Sequence, residues 1–395
     1  MPQAHSSWQS TTLGTLGESF SVTTGFSRKD LTPTPSPYPC LHYMQIGRDY
    51  FSPVLKQAVS YLTQVNPELK LAPYQALLFP TIGSDPSKPV TRILLNLSQE
   101  PLYLGRDIFV FTLKDNSPVL AEYINWLLYA QPQRLTQVQQ SNEIQIKHLK
   151  RKEIEQIPID YPDLDTQSKI ISICEQMMQT LLHYQELISL YQQQLQALEE
   201  EIFPLQEQDH PTWSWQPLKA LSQSISLSPR LPEDLKVQAI QDQEHPFPYY
   251  NRSRELNYCN RALSAGVAIL ITGDGSKSEH FHYLNEQQIF TAFPRVYCLR
   301  NFSHQIIPKF FFYALRYYLK RNRQNNSSTQ FISLKDLQAT NLAFPDLAKQ
   351  KEIVQLFEQL EQLQSLNQVL FEQAQQKFSL LQQELFSPST FTGKA

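Results

Sequence analysis

Apolar residues recur at alternating steps of four and three along one stretch of this chain: Ile170, Cys174, Met177, Leu181, Tyr184, Ile188, Tyr191, Leu195, Leu198 and Ile202. Gln and Glu fill most positions between them, so the stretch carries a sustained a/d seam and predicts a coiled-coil helix. Pro162-Asp163 suits its start and Pro204 its stop. A helix from about Gln167 to Phe203 is roughly 55 Å long at the helical rise. The same segment is written twice. Residues 161–203 return as 344–386, 183 positions later, without a gap and about a third identical. Pro162-Asp163-Leu164 returns as Pro345-Asp346-Leu347, Gln167 as Gln350, Glu201 as Glu384 and Phe203 as Phe386. In the second copy Ile353, Phe357, Leu360, Phe371, Phe378, Leu381 and Leu385 keep the seam, while Gln364 and Asn367 interrupt it. Polar seam positions of this kind fix register or pairing.

A narrow apolar stripe wants another helix, and the chain supplies a matching one. Two copies packed antiparallel put the end of the first beside the start of the second. Residues 210–344 then leave and return at one end of the rod, residues 1–159 sit at the other, and a pseudo-twofold relates the halves. The globular blocks echo each other too. Trp8, Leu13 and Leu16 match Trp213, Leu218 and Leu221. Ala76-Leu77-Leu78 with Gly83-Ser84 matches Ala268-Ile269-Leu270 with Gly275-Ser276. The runs Ala76–Phe79 and Ala268–Ile271 read as buried strands entering turns. Before each rod, Tyr123–Leu128 and Phe310–Tyr318 read as short helices with an aromatic face turned inward. Pro33–Pro39 reads as a loop. The expected fold class is α+β: two tandem mixed domains, 1–159 and 210–344, alternating with helices within 160–209 and 345–395.

Composition first points away from nucleic acid, because 395 residues carry a net charge of −3. Its distribution reverses that. Residues 160–209 hold ten acids against one base, and 345–395 hold six against four. Residues 1–159 hold fourteen bases against twelve acids, and 210–344 hold fifteen against nine. Acidic rods thus join mildly basic domains, which fits phosphate contact by the domains. No apolar run reaches the ~18 residues of a membrane span, and Met1–Ser10 has no signal pattern. Four scattered cysteines without C-x-x-C argue against a zinc ribbon or disulfide framework, and a reducing cytoplasm fits.

Catalytic signatures are weak. Gly273-Asp274-Gly275-Ser276-Lys277-Ser278 has Ser276 where a phosphate loop needs glycine, and reads as a turn after a strand. Pro162-Asp163 and Pro345-Asp346 lack the acid-x-Lys of a metal-dependent nuclease and read as helix starts. An amino-methyltransferase needs an Asn/Asp-Pro-Pro-aromatic turn and a Gly-rich cofactor loop; ten glycines and no such turn supply neither. Glu279-His280-Phe281-His282 offers two imidazoles without a spaced third ligand. The reading is a non-catalytic chain that binds no metal and no cofactor of its own.

Two junctions carry a resemblance. The first is Ser328-Thr329-Gln330-Phe331-Ile332-Ser333-Leu334-Lys335-Asp336-Leu337, followed by Leu342-Ala343-Phe344-Pro345-Asp346-Leu347, Gln350 and Ile353. A degraded version is Ile146, Leu149, Ile157-Pro158-Ile159, Tyr161-Pro162-Asp163-Leu164, Gln167 and Ile170, with Gln140-Ser141-Asn142 where a Thr-Gln loop is expected. The tandem order resembles the specificity (S) subunits of type I restriction-modification systems. The resemblance implies two target recognition domains, each reading one half of a bipartite asymmetric DNA site, with an antiparallel coiled coil setting the gap. It also implies two bound modification (methyltransferase) subunits and restriction (motor-nuclease) subunits, with S-adenosylmethionine, ATP and magnesium on those partners.

Arg and Lys anchor phosphates, while Arg, Gln, Asn, Ser and Thr read base edges. In the second domain Arg321, Arg323, Gln324, Asn325, Asn326, Ser327, Ser328, Thr329 and Gln330 form a basic polar loop after the aromatic helix, the leading DNA-facing candidate. Arg252, Arg254, Lys277 and Ser278 follow, then Arg28, Lys29, Ser84, Lys88, Arg92 and Gln140 in the first domain. Phe310–Tyr318 reads as core rather than as a base-stacking platform. The alternative function is a coiled-coil adaptor that bridges two protein partners without touching DNA. A self-contained restriction enzyme is the third reading, disfavoured by the missing motifs.

Overall fold

The computed structural model describes residues 8–83, 89–139, 149–204, 206, 209–228, 230–251, 256–272, 281–293, 296–325 and 333–387. The two repeated segments are long helices, Leu164–Ile202 and Leu347–Leu385, each of 39 residues. The chain divides into two compact units. The first takes residues 1–186 and 368–395, the second 187–367, so each unit owns one half of each long helix.

In the first unit a five-stranded sheet runs Gly17–Val22, Ile108–Leu113, Leu77–Pro80, Leu94–Asn96, Val54–Leu55. A second sheet runs Leu31–Thr32, Ser60–Leu62, Pro39–Leu41, Leu102–Leu104, Leu71–Ala72. In the second unit Ser222–Leu227, Tyr297–Phe302, Ala268–Ile271 and Phe281–Leu284 form one sheet. Val237–Gln238, Asn257–Cys259, Phe247–Tyr250, Ile289–Ala292 and Ser264–Ala265 form the other. Leu77–Pro80 and Ala268–Ile271 are buried along their whole length, the apolar runs expected as interior strands.

Each unit closes in the same way. Gln9–Thr12 pairs antiparallel with Pro158–Tyr161, and Ser214–Pro217 pairs antiparallel with Asn341–Phe344. Behind each outer strand a one-turn helix buries two leucines, Leu13 and Leu16 or Leu218 and Leu221. The aromatic stretches are helices Ala121–Ala130 and Pro308–Asn325. Trp126, Tyr123, Phe310, Phe311 and Tyr313 on them are fully buried, so they are core. Each such side chain contributes roughly 1.5–3 kcal/mol by leaving water.

The long helices start on aspartates. Asp163 Oδ1 accepts from the Thr166 backbone N–H at 2.9 Å, and Asp346 Oδ1 accepts from that of Lys349 at 2.9 Å. These are N-caps, and the backbone N–H of Thr166 holds the Asp163 carboxyl below the usual range. One turn on stands a glutamine with no exposed surface in each copy, Gln167 and Gln350. Gln167 Oε1 accepts the Leu120 N–H at 2.9 Å, and its Nε2 donates to the carbonyls of Pro118 at 2.9 Å and Pro162 at 2.8 Å. Gln350 repeats this: Oε1 accepts from Ile307 N–H at 2.8 Å, and Nε2 donates to Gln305 at 2.9 Å and Pro345 at 2.8 Å. One side chain therefore ties the start of the long helix to the start of the aromatic helix and satisfies three groups that burial would otherwise strand.

Within the second unit the helix halves run antiparallel. Phe203 stacks on Phe357 at 5.9 Å, and one turn away Arg316 bridges Glu199 and Glu361, so one number rises as the other falls. In the first unit Ile170, Cys174, Met178 and Leu181 share a core with Phe378, Leu385 and Phe386. The seam is more uneven than its heptads imply. Ile170, Cys174, Leu181, Ile353, Phe357 and Phe378 are buried, but Met177, Ile188, Leu195 and Leu360 are only half-buried. Met178, off the seam, is buried instead of Met177, because near its start the helix packs on its own domain as well as on its partner helix. The second helix is unbroken at Asn367, whose amide donates back to the Leu363 carbonyl at 2.9 Å.

Truncating Gln167→Ala or Gln350→Ala strands one N–H and two carbonyls and is expected to cost about 3 kcal/mol. A lowered urea midpoint at unchanged slope checks it. Burial pushes the thiols of Cys40 and Cys174 up to about 12, so both stay protonated at pH 8. Alkylation of these two by iodoacetamide is expected only on unfolding, and mass spectrometry of the native protein reads it.

Candidate nucleic-acid interface

An open groove of about 810 Å³ lies in the first unit between three loops. Residues 23–30 follow the strand Gly17–Val22, residues 63–69 follow Ser60–Leu62, and Gly105-Arg106 precede Ile108–Leu113. Gly25 packs so close to the backbone nitrogen of Arg106 that a Cβ there has no room, which fixes the first loop against the third. Buried Phe26 and Leu62 back the groove. Exposed Thr24, Thr63, Gln64 and Asn66 line it, with the cations Lys29 and Arg106.

Two acids line it, Asp30 and the exposed Glu68, and Asp107 stands next to Arg106 outside the lining. Asp30 closes the turn Arg28–Asp30 by accepting from the Ser27 N–H at 2.7 Å and the Ser27 hydroxyl at 2.9 Å, which holds its carboxyl below the usual range. Asp107 pairs with Arg106 at 3.5 Å. Nearby His42 is buried, and its Nδ1 accepts from the Met44 N–H at 3.3 Å. Burial, then the positive field of Arg106, Arg48 and Arg28, lowers its pKa and favours the neutral ring. A groove with cations at its edge and amides and hydroxyls along its wall supplies phosphate anchors and base-edge donors and acceptors. Among the described residues no cluster of three or more His, Cys, Asp or Glu is placed to hold a metal, and no helix is long and apolar enough to cross a membrane.

Of the residues expected from sequence, Lys29 lines this groove, while Arg28 stands beside it in the same turn without lining it; Arg106, Gln64 and Asn66, which sequence reading did not single out, line it too. The turn dipeptide Asn66-Pro67 beside Gln64 was the available signal. Arg92 lies elsewhere in the unit, its guanidinium 5.6 Å over the Tyr129 ring where the domain meets the long helices. In the second unit the expected loop starts too early: the helix Pro308–Asn325 includes Arg321, Arg323, Gln324 and Asn325. Lys320, Arg321 and Arg323 suit a helix C-terminus, where cations meet the negative end of the dipole. Arg321 shares a shallow recess with Glu199, Glu200 and Tyr317. Ser84, Lys88, Gln140, Arg252, Arg254, Lys277, Ser278, Asn326, Ser328, Thr329 and Gln330 lie outside the described residues, as do Gly273–Ser278 and Glu279-His280.

No curated protein matches the chain in sequence. Among solved structures it is similar to the type I restriction-modification system S subunit from M. genitalium, with TM-score 0.62 and 13% identity, covering 100% of this chain and 98% of that one. A chain from work on complex assembly and conformational transition of the type I R-M system matches with TM-score 0.56 and 15% identity, over 96% and 97%. At such identities these likenesses show the fold. The sequence profile of the type I restriction modification DNA specificity domain goes further, matching residues 79–192 and again 235–375. Those two stretches take in more than half of the chain, each running from a domain's buried strands into a long helix, and the protein belongs to the family of type I restriction modification DNA specificity domains.

Proposed function

We propose that this chain is the DNA-recognition subunit of a type I restriction-modification complex, with each domain reading one half of a bipartite asymmetric site. The observation that carries the reading is the double match to a DNA specificity domain on a chain whose two domains are clasped to long helices in the same way. The helix pair fixes the gap between half-sites, as half-site spacing is set geometrically in dimeric DNA readers. It also docks two methyltransferase subunits, which carry S-adenosylmethionine; restriction subunits with ATP and magnesium complete the complex. The chain itself is the non-catalytic specificity subunit.

In the first domain Arg28, Lys29 and Arg106 hold phosphates while Gln64, Asn66 and the groove threonines meet base edges. In the second, Arg252, Arg254, Lys277 and Ser278 share the work with the segment from Arg321 and Arg323 through Gln330. The acidic helices, with ten acids against one base in residues 160–209, repel the backbone and keep DNA on the domains.

Reconstituted with a cognate type I modification subunit, the chain is expected to prefer its own site over random DNA by about 10³-fold or more. Changing Lys29 and Arg106 together to Ala weakens binding to all sequences and lowers the salt slope by about two. Changing Gln64 and Asn66 to Ala instead relaxes sequence preference. Competition binding at two salt concentrations reads both effects. An adaptor that only bridges proteins shows no sequence preference in the same assay.

A further inference from the structure

The two junctions between domain and helices share a backbone plan but not their chemistry. The 183-residue repeat places Gln382 where Glu199 stands and Met178 where Glu361 stands. The two clasps align the aromatic helices, Leu120 on Ile307, which sets Tyr123 against Phe310, Trp126 against Tyr313 and Tyr129 against Arg316. The alignment is real in space. Phe386 packs on Tyr123 at 5.4 Å as Phe203 packs on Phe310 at 5.8 Å.

In the second unit this position is an ionic knot. Arg316, 8% exposed, donates to Glu199 Oε1 from Nη2 at 2.8 Å and from Nε at 3.2 Å, and pairs with Glu361 at 3.5 Å. The Tyr313 hydroxyl donates to Glu361 at 2.7 Å. The buried Arg316 and Glu199 satisfy one another, as burial of charge demands, and half-buried Glu361 completes the knot.

In the first unit both acids are gone and donors remain. Gln382 is 6% exposed, and its Nε2 has no hydrogen-bond partner. Arg92 arrives from outside the helices to stand over Tyr129, with no carboxylate paired to it among the described residues. Both line a recess of about 330 Å³, with the hydroxyl-bearing Thr91 and Ser379 beside them and Leu181 and Phe378 as apolar wall. Donors without an acceptor, next to a guanidinium, call for an anion.

We propose that this recess receives an Asp or Glu side chain from a protein partner docked on the helices of the first unit. The proposal rests on the docking role given to the helices above. The chain's own second unit is the template, because there a carboxylate at the Gln382-equivalent position satisfies the guanidinium. A phosphate of DNA fits less well, because the wall is half apolar and suits the carbon stem of a protein side chain better than a fully hydrated phosphodiester. It follows that the two partner copies are held unequally, one by this contact and the other at a junction already filled from within.

Stepwise binding of a cognate type I modification subunit to the full chain, followed by native mass spectrometry and calorimetry, tests this. Gln382→Glu supplies an internal carboxylate and closes the recess; Arg92→Ala, at an exposed position, removes the cation with less risk to folding. Both are expected to weaken one of the two binding steps by about tenfold or more and leave the other unchanged. The weakened step also loses part of its salt dependence. Unaltered affinities for both steps in folded variants overturn the proposal while leaving the docking reading intact. A wild-type chain that binds no modification subunit overturns both. If Gln382→Glu instead lowers DNA binding by the chain alone, the recess holds phosphate and the proposal is wrong.

Discussion

Two glutamines without exposed surface hold this molecule's plan together. Gln167 and Gln350 each accept one backbone N–H and donate to two carbonyls, tying the first turn of a long helix to the first turn of the aromatic helix that fills the domain. A shorter or apolar side chain at that depth leaves three backbone groups without water or partner, a cost of a few kcal/mol at each junction. With the amide in place, the aromatic helix, the closing strand pair and the long helix meet at a fixed angle. The proposed reading of two half-sites at a fixed spacing needs that rigidity, because a loose junction blurs both register and gap.

Much of this was legible before any coordinates. The heptads around Ile170 and Ile353 and the Pro-Asp starts located both helices to within a few residues. The echo of Leu13 and Leu16 in Leu218 and Leu221 marked two real equivalent turns. The periodicity could not show where the seam is buried. Depth depends on the domain packed beside the helix, so Met178 goes inside while Ile188 and Leu195 stay half-exposed. Gln167 and Gln350 stood out as repeated letters, yet their role needs partners 49 and 45 residues away in sequence, beyond the reach of local pattern.

The candidate DNA surface was less legible for a related reason. Lys29 sits in a turn legible in the sequence, but Gln64, Asn66 and Arg106 join it only through sheet topology and the close approach at Gly25. In the second domain a basic, polar run looked like loop, and helix propensity with the dipole carried the helix on through Asn325. Between domains and helices the charge is divided, and that division reconciles a net charge of −3 with a nucleic-acid partner. What the duplication copied most faithfully is the acidic scaffold; what drifted are the globular domains, to which the proposed function gives the reading of DNA.

The central claim is that one chain reads two different words at a fixed separation. Expressing it with a cognate type I modification subunit and mapping methylated bases by single-molecule sequencing tests that directly. The account predicts an asymmetric site in two parts with a constant gap. A continuous palindrome, or methylation without sequence preference, contradicts it.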